Sequence, residues 1–153
     1  MKAKVTRSLE QPELLWRDLT VWFEDIAASI ERDLSTECGL TGPEFQVLAV
    51  LADAIDGSLD QLDLRQELHW SPSRLSHQLR RMRTRGFCAT TEAGHGTRMR
   101  VALTPKGKAA HDVARDVHER AVRVHLLDNI SSEHRAELSK AVARGRSRMR
   151  TKE

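Results

Sequence analysis

The chain has 153 residues, enough for one fair core with a few flanking helices, and its 25 basic and 22 acidic residues give a formal charge of +3. Aromatic content is 4% with no Tyr, which disfavours proteins that stack single-stranded bases on aromatic platforms. Cys38 and Cys88 lie far apart in no CxxC spacing, which disfavours a disulfide framework and reads as reduced thiols of a cytoplasmic protein. The longest apolar run, residues 47–52, is too short to span a bilayer, and no apolar segment follows the basic start before Glu10 and Glu13, so neither membrane nor export signal is expected.

The charge is unevenly placed. Residues 70–108 hold nine basic residues against Glu92 alone, a local charge of +8, while the rest of the chain carries 16 basic and 21 acidic residues, or −5. One region is built to meet a polyanion.

In chain order, Pro12 opens a long helix to about Thr36. Its stripe of Leu15, Trp16, Leu19, Trp22, Phe23, Ile26, Ile30 and Leu34 is wider than one packing partner needs. Such a helix touches its own domain on one side and a second subunit or an adjoining pocket on the other, although Trp16, Trp22 and Phe23 also suit plain core. Gly39 ends it. Thr41, Pro43 and Glu44 start the next helix as N-cap, first helical residue and reciprocal carboxylate of a capping box. This helix, with Phe45, Val47, Leu48, Val50 and Leu51, is apolar nearly all round and so central, and Asp56-Gly57 turns the chain after it.

Leu59, Leu62, Leu64 and Leu68 mark a short strand or bridge and a short helix, tied by His69-Trp70-Ser71 to the next element. That element spans Ser71 to Gly86: Ser71 is an N-cap, Pro72 suits the first helical position, Leu75, Leu79 and Met82 form one apolar face, and Gly86 stops it. Ser73, Arg74, Ser76, His77, Arg80, Arg81 and Arg83 occupy the remaining faces, and no carboxylate occurs from Ser71 to Thr91. A face made almost wholly of donors suits phosphates and guanine edges, so this is the expected recognition helix of a helix-turn-helix. Segments 87–91 and 98–103 read as two strands around a connection with two glycines, a hairpin or wing. Arg98 and Arg100 fall on one face of its second strand, opposite Met99, Val101 and Leu103. Thr104 and Pro105 cap a helix through Ala109, Ala110, Val113, Val117, Ala121, Val124 and Leu127, and Ser131 or Ser132 starts a last helix with Leu138, Val142 and Met149 on a weaker apolar face. The run of residues 144–152, RGRSRMRTK, reads as a solvated helix end or a phosphate-touching tail.

Leu40-Thr41-Gly42-Pro43-Glu44-Phe45-Gln46-Val47-Leu48, Ser71-Pro72-Ser73-Arg74-Leu75-Ser76, Arg85-Gly86-Phe87 and Val101-Ala102-Leu103-Thr104-Pro105-Lys106-Gly107, in this order and spacing, resemble the MarR family of winged-helix transcriptional regulators over nearly the whole chain. The resemblance implies a mainly α fold with a small β wing: a winged helix-turn-helix at 39–108 between dimerisation helices at 1–38 and 109–153. It implies a homodimer, recognition helices in successive major grooves of a pseudo-palindromic operator, and wings reaching toward minor grooves. It also implies a repressor released by a small aromatic or phenolic effector in a crevice beside the first helix. Here that crevice would take its walls from Trp16, Leu19, Trp22, Phe23 and Phe45, with Arg17, His111 or His118 for a carboxylate. Family wings carry an Asp-x-Arg before the closing strand. His95 and Thr97 stand at those positions here, so either Arg98 or Arg100 is the residue that reaches.

The expected DNA contacts are Ser71, Ser73, Arg74, Ser76, His77, Arg80, Arg81, Arg83, Arg98 and Arg100. Ser73, Arg74, His77 and Arg80 lie nearest base edges, and Arg81, Arg83 and Arg98 take phosphates. His111, His118 and His125 recur every seven residues, too far apart to close one metal site alone. A metal-responsive regulator borrowing Cys38 or Cys88 stays open as an alternative, and so does a winged helix used for protein contact. His118 also resembles a histidine of actinobacterial-type members, which leaves it a pH or ligand role. Ser76 and His77 point about 100° apart on a helix and cannot act as nucleophile and base. With no phosphate loop and no HExxH, neither an enzyme nor a resident cofactor is expected.

Overall fold

The computed structural model describes residues 12–92 and 98–150. Among these residues, six α-helices and a three-stranded sheet follow one another as α1 (Pro12–Cys38), α2 (Gly42–Asp53), β1 (Ser58–Asp60), α3 (Gln61–Leu68), α4 (Pro72–Thr84), β2 (Cys88–Glu92), β3 (Met99–Leu103), α5 (Pro105–His125) and α6 (Ser132–Arg150), with one 3-10 turn at Leu127–Asn129. The chain divides into two compact units, one of residues 31–119 and one formed by residues 1–30 with 120–153.

The first unit is a winged helix. Its strands run antiparallel in the order β1-β3-β2, with Leu59 opposite Val101 on one side of β3 and Thr90 opposite Val101 on the other. The fully buried Val101 thus pins the sheet to the helices. Val47, Leu48 and Leu51 of α2, Leu64 of α3, and Leu75, Leu79 and Met82 of α4 complete the core, as their helical spacing requires. The unit is wider than segment 39–108, because Leu34 near the end of α1 and His111, Ala114 and Val117 of α5 are buried too.

Local signals set the helix ends. Thr41 caps α2 through a complete capping box with Glu44, which makes Gly42 the first helical residue and moves Pro43 to the second. Ser71 caps α4 by accepting the Arg74 N–H at 3.3 Å, and Gly86, at φ 75°, closes it where a side chain would be strained. His69, in the left-handed region at φ 53°, ends α3 and makes the tight turn into α4. Helix α1 runs on to Cys38, two residues beyond the expected Thr36. The wing strands sit at 88–92 and 99–103, so Phe87 and Arg98 only flank them, and His95 and Thr97 lie outside the described residues.

Helix α5 departs from its expected face. It buries His111, Ala114, Val117 and Ala121 and leaves Val113 and Val124 at 60% and 50% exposure. Gly107 sets this rotation: its backbone lies against the Phe87 carbonyl, which brings the line of residues 107, 111, 114, 117 and 121 inward.

In the second unit Ile26 and Ala121 are buried, whereas Trp16, Leu19 and Phe23 on α1 and Leu138, Val142 and Met149 on α6 are exposed. Ser131 caps α6 by accepting the His134 N–H at 3.3 Å.

Candidate nucleic-acid interface

Helix α4 is sharply two-faced. Leu75, Gln78, Leu79 and Met82 are buried, and Ser73, Arg74, Ser76, His77, Arg80, Arg81 and Arg83 are exposed with Ser71 at the cap. The helix therefore offers every expected donor to solvent, in register, from one rigid element. Gln78 is the exception to the polar pattern: it packs inward, and its Nε2 finds no partner among the described residues.

The cations of this region have different jobs. Arg80 and Arg81 have no carboxylate within ion-pair reach among the described residues, and Arg74 is held instead by stacking its guanidinium 4.2 Å above the ring of the buried Trp70. Arg83 donates to the Thr90 hydroxyl at 2.8 Å, which leans it toward β2. Arg98 reaches Asp60 only at 3.9 Å and keeps 81% of its side chain exposed, so this contact is weak.

Arg100, expected among the DNA contacts, already has partners within the protein, at a partly exposed position. Its Nη2 pairs with Asp56 Oδ2 at 2.5 Å and its Nε donates to the Ser58 hydroxyl at 2.7 Å. The Ser58 hydroxyl and backbone N–H both donate to Asp56, and these bonds, followed by the Arg100 charge, hold the Asp56 carboxyl below its ordinary range. Arg100 thus ties β3 to the turn before β1, and Arg98 is the more exposed of the two. Nothing local in the sequence links positions 56 and 100; the only available signal was that β1 and β3 both needed a partner strand.

By sequence, no family model and no curated protein matches the chain. The fold matches clearly. AbsC, a MarR family transcriptional regulator of Streptomyces coelicolor, superposes with a TM-score of 0.84 at 26% identity, over 95% of this chain and 99% of that one. The fold is that of the MarR-family transcriptional regulators. Sco3205 of the same organism, solved in complex with DNA, gives 0.80 at 22% identity over 91% of this chain and 90% of its own. An organohalide-sensing regulator in its 2,4-dichlorophenol-bound form gives 0.80 at 23% identity over 97% and 85%.

Within this MarR-type winged helix, three residues of the expected effector crevice come together. Phe45 at the start of α2 is stacked between His111, at 5.9 Å between ring centroids, and His118, at 4.4 Å. Trp16, Arg17, Leu19, Trp22 and Phe23 belong to the other compact unit, where Trp16 and Phe23 are 73% and 70% exposed and Arg17 pairs with its neighbour Asp18 at 3.8 Å. Burial pushes the His118 imidazole below the usual histidine value of about 6.5.

Folding therefore favours the neutral His118 ring, and the unfolded chain binds its proton first as the pH falls. Stability is expected to decline as the pH drops below about 6.5, ahead of the carboxylates Asp56 and Asp112, whose lowered values place their losses near or below pH 4. Thermal melts at pH 7.5 and 5.5 check this: the gap between the two midpoints should shrink in His118→Gln, and an unchanged gap contradicts it.

The remaining sharp chemistry finds little support. Cys88 is buried, and desolvation pushes its thiol up to about 11, so it is a protonated, unreactive group at neutral pH. Among the described residues no three His, Cys, Asp or Glu side chains are grouped to hold a metal ion, and no helix is long and apolar enough to cross a membrane.

Proposed function

We propose that the protein is a sequence-specific, double-stranded DNA-binding transcriptional regulator that acts as a cytoplasmic homodimer and represses until a small aromatic or phenolic molecule releases it. The observation that carries the DNA reading is the outward face of α4. Arg74, Arg80, Arg81 and Arg83 stand there with Ser73, Ser76 and His77, and no acidic residue shares the helix. Guanidiniums free of internal carboxylates are available to phosphates and guanine edges, whereas a protein-binding face of this size would carry apolar anchors. The DNA-bound and dichlorophenol-bound neighbours support the same reading.

Dimerisation follows from the apolar side chains that one chain leaves uncovered. Trp16, Leu19 and Phe23 of α1 suit an isologous two-fold interface, and so does the α6 groove lined by Leu126, Ile130, Leu138 and Val142. Two recognition helices then call for half-sites about 10 bp apart.

Gel shifts with DNA from around the gene, repeated over a series of salt concentrations, test the reading. Binding whose logarithm falls with log salt at a slope of roughly −0.9 per neutralised phosphate is expected. Failure to shift any duplex at low salt would overturn it. For the effector, aromatic acids and phenols should quench Trp fluorescence and weaken operator binding by roughly 5–150-fold.

A further inference from the structure

Glu44 is wholly buried, and its Oε2 serves three donors: the Thr41 N–H at 2.9 Å, the Thr41 hydroxyl at 3.2 Å and Arg85 Nη1 at 2.6 Å. A capping box alone does not require a carboxylate to leave water. Arg85 places an opposite charge on this buried side chain through Oε2, while Oε1 has no hydrogen-bond partner among the described residues, so Arg85 is its main polar anchor beyond the cap. Arg85 is also the C-cap residue of α4.

The same guanidinium makes a second commitment. Its Nη2 donates to the Gly39 carbonyl at 2.9 Å, just past the end of α1, and its plane lies 4.6 Å over the Phe87 ring. Lys106, in the first turn of α5, donates to the Arg85 carbonyl at 2.8 Å. Gly42, beside the cap, donates its N–H to Glu31 of α1 at 2.5 Å. One planar fork thus joins the end of the recognition helix to the end of α1 and the start of α2, and Lys106 adds the start of α5. Helices α1 and α5 are the two that continue in sequence past residues 31 and 119, the limits of the winged-helix unit.

We propose that Arg85 and Glu44 are positioning residues that fix the angle of α4 to α1 and α5, and so set the half-site spacing that the dimer accepts; this rests on the DNA-binding reading above. Leu75, Leu79 and Met82 hold α4 by apolar contacts that resist separation but direct orientation weakly, and Arg83 adds a bond to the Thr90 hydroxyl of β2 and Arg74 a stack on Trp70, neither of which reaches α1 or α5. A two-pronged guanidinium contact to fixed acceptors defines an angle. A small error in that angle leaves a single half-site readable, because one winged helix can re-seat on it. Between two half-sites the same error becomes a mismatch of spacing.

The test measures affinity of the full-length protein for duplexes with identical half-sites whose centres are about 10 bp apart, or one and two base pairs either side, together with a single half-site duplex. Wild type should prefer one spacing by at least about 10-fold, while Arg85→Gln and Glu44→Gln should flatten that preference to within about 3-fold and change half-site affinity by less than about 2-fold. A merely structural role would lower affinity for every spacing alike. Arg85→Lys keeps the charge against Glu44 but lacks the fork to hold Gly39 as well; it should also flatten the preference, and it carries the test if the Gln variants fail to fold. Variants that retain the wild-type spacing ratio overturn the proposal, as does a wild type that binds DNA with no spacing preference. A wild type that binds no duplex overturns the DNA reading instead.

Discussion

Arg74→Ala is expected to weaken binding to the operator by about 5–150-fold, equivalent to about 1–3 kcal/mol for one bidentate base contact, with little change on random duplex. Arg74 is the third residue of α4, and in the proposed DNA-binding role the N-terminal part of such a helix is where base edges come within reach. Its guanidinium lies 4.2 Å over Trp70, and Trp70 is buried, so the platform is fixed before DNA arrives. Pre-ordering a long side chain in this way lowers the entropy lost on binding, the property a base reader needs more than a diffuse phosphate contact does. Arg81→Ala and Arg98→Ala should behave differently, weakening all sequences alike and reducing the salt slope by about 1 each. Competition gel shifts with operator and random duplex separate the two patterns. Equal losses on both duplexes for Arg74→Ala would remove it from the reading set.

Gly107→Ala is expected to be more damaging than an alanine at Gly42, the other described glycine with a close contact, because its would-be methyl meets backbone rather than the far end of the Glu31 side chain. A Cβ at this position would fall on the carbonyl oxygen of Phe87 and lie 2.9 Å from its carbonyl carbon, with Leu103 closing the third side at 3.3 Å. Neither backbone group can step aside cheaply, because the Phe87 carbonyl accepts the Thr104 N–H at 3.2 Å and the Phe87 ring is buried beneath Arg85 and Lys106. Overpacking against backbone costs about 1–3 kcal/mol or more, which for a chain of this length lowers the melting temperature by roughly 2–12 °C. Gly145→Ala in α6 is the matched comparison. Nothing lies within 4 Å of its would-be Cβ, and alanine in a helix interior is favoured over glycine by about 0.5–1 kcal/mol. Calorimetry should show Gly107→Ala melting well below wild type and Gly145→Ala at or above it; equal midpoints for the two would mean that the Gly107–Phe87 contact relaxes without cost.

What the sequence determined by itself was whatever a few adjacent residues settle. Ser71-Pro72 and Gly86 bound α4, Thr41 with Glu44 opens α2, and Leu75, Leu79 and Met82 repeat at helical spacing because one face must leave water. The bareness of the opposite face was equally legible, since a run without carboxylates needs no partner to be recognised. Tertiary structure decided what each cation does. Arg74, Arg85 and Arg100 are alike in sequence as isolated arginines in a basic segment, yet one lies over Trp70, one neutralises Glu44 from 41 residues away, and one locks onto Asp56 from 44 away. Periodicity carries no information about such partners. They are brought together by the packing of α2 against α4 and by the β1-β3-β2 strand order, and a guanidinium reads the same in sequence whether a carboxylate or open solvent lies opposite. The inward turn of His111 on α5, in place of Val113, has the same origin: it follows from a glycine meeting a carbonyl one strand away, a contact that exists only once the wing is folded.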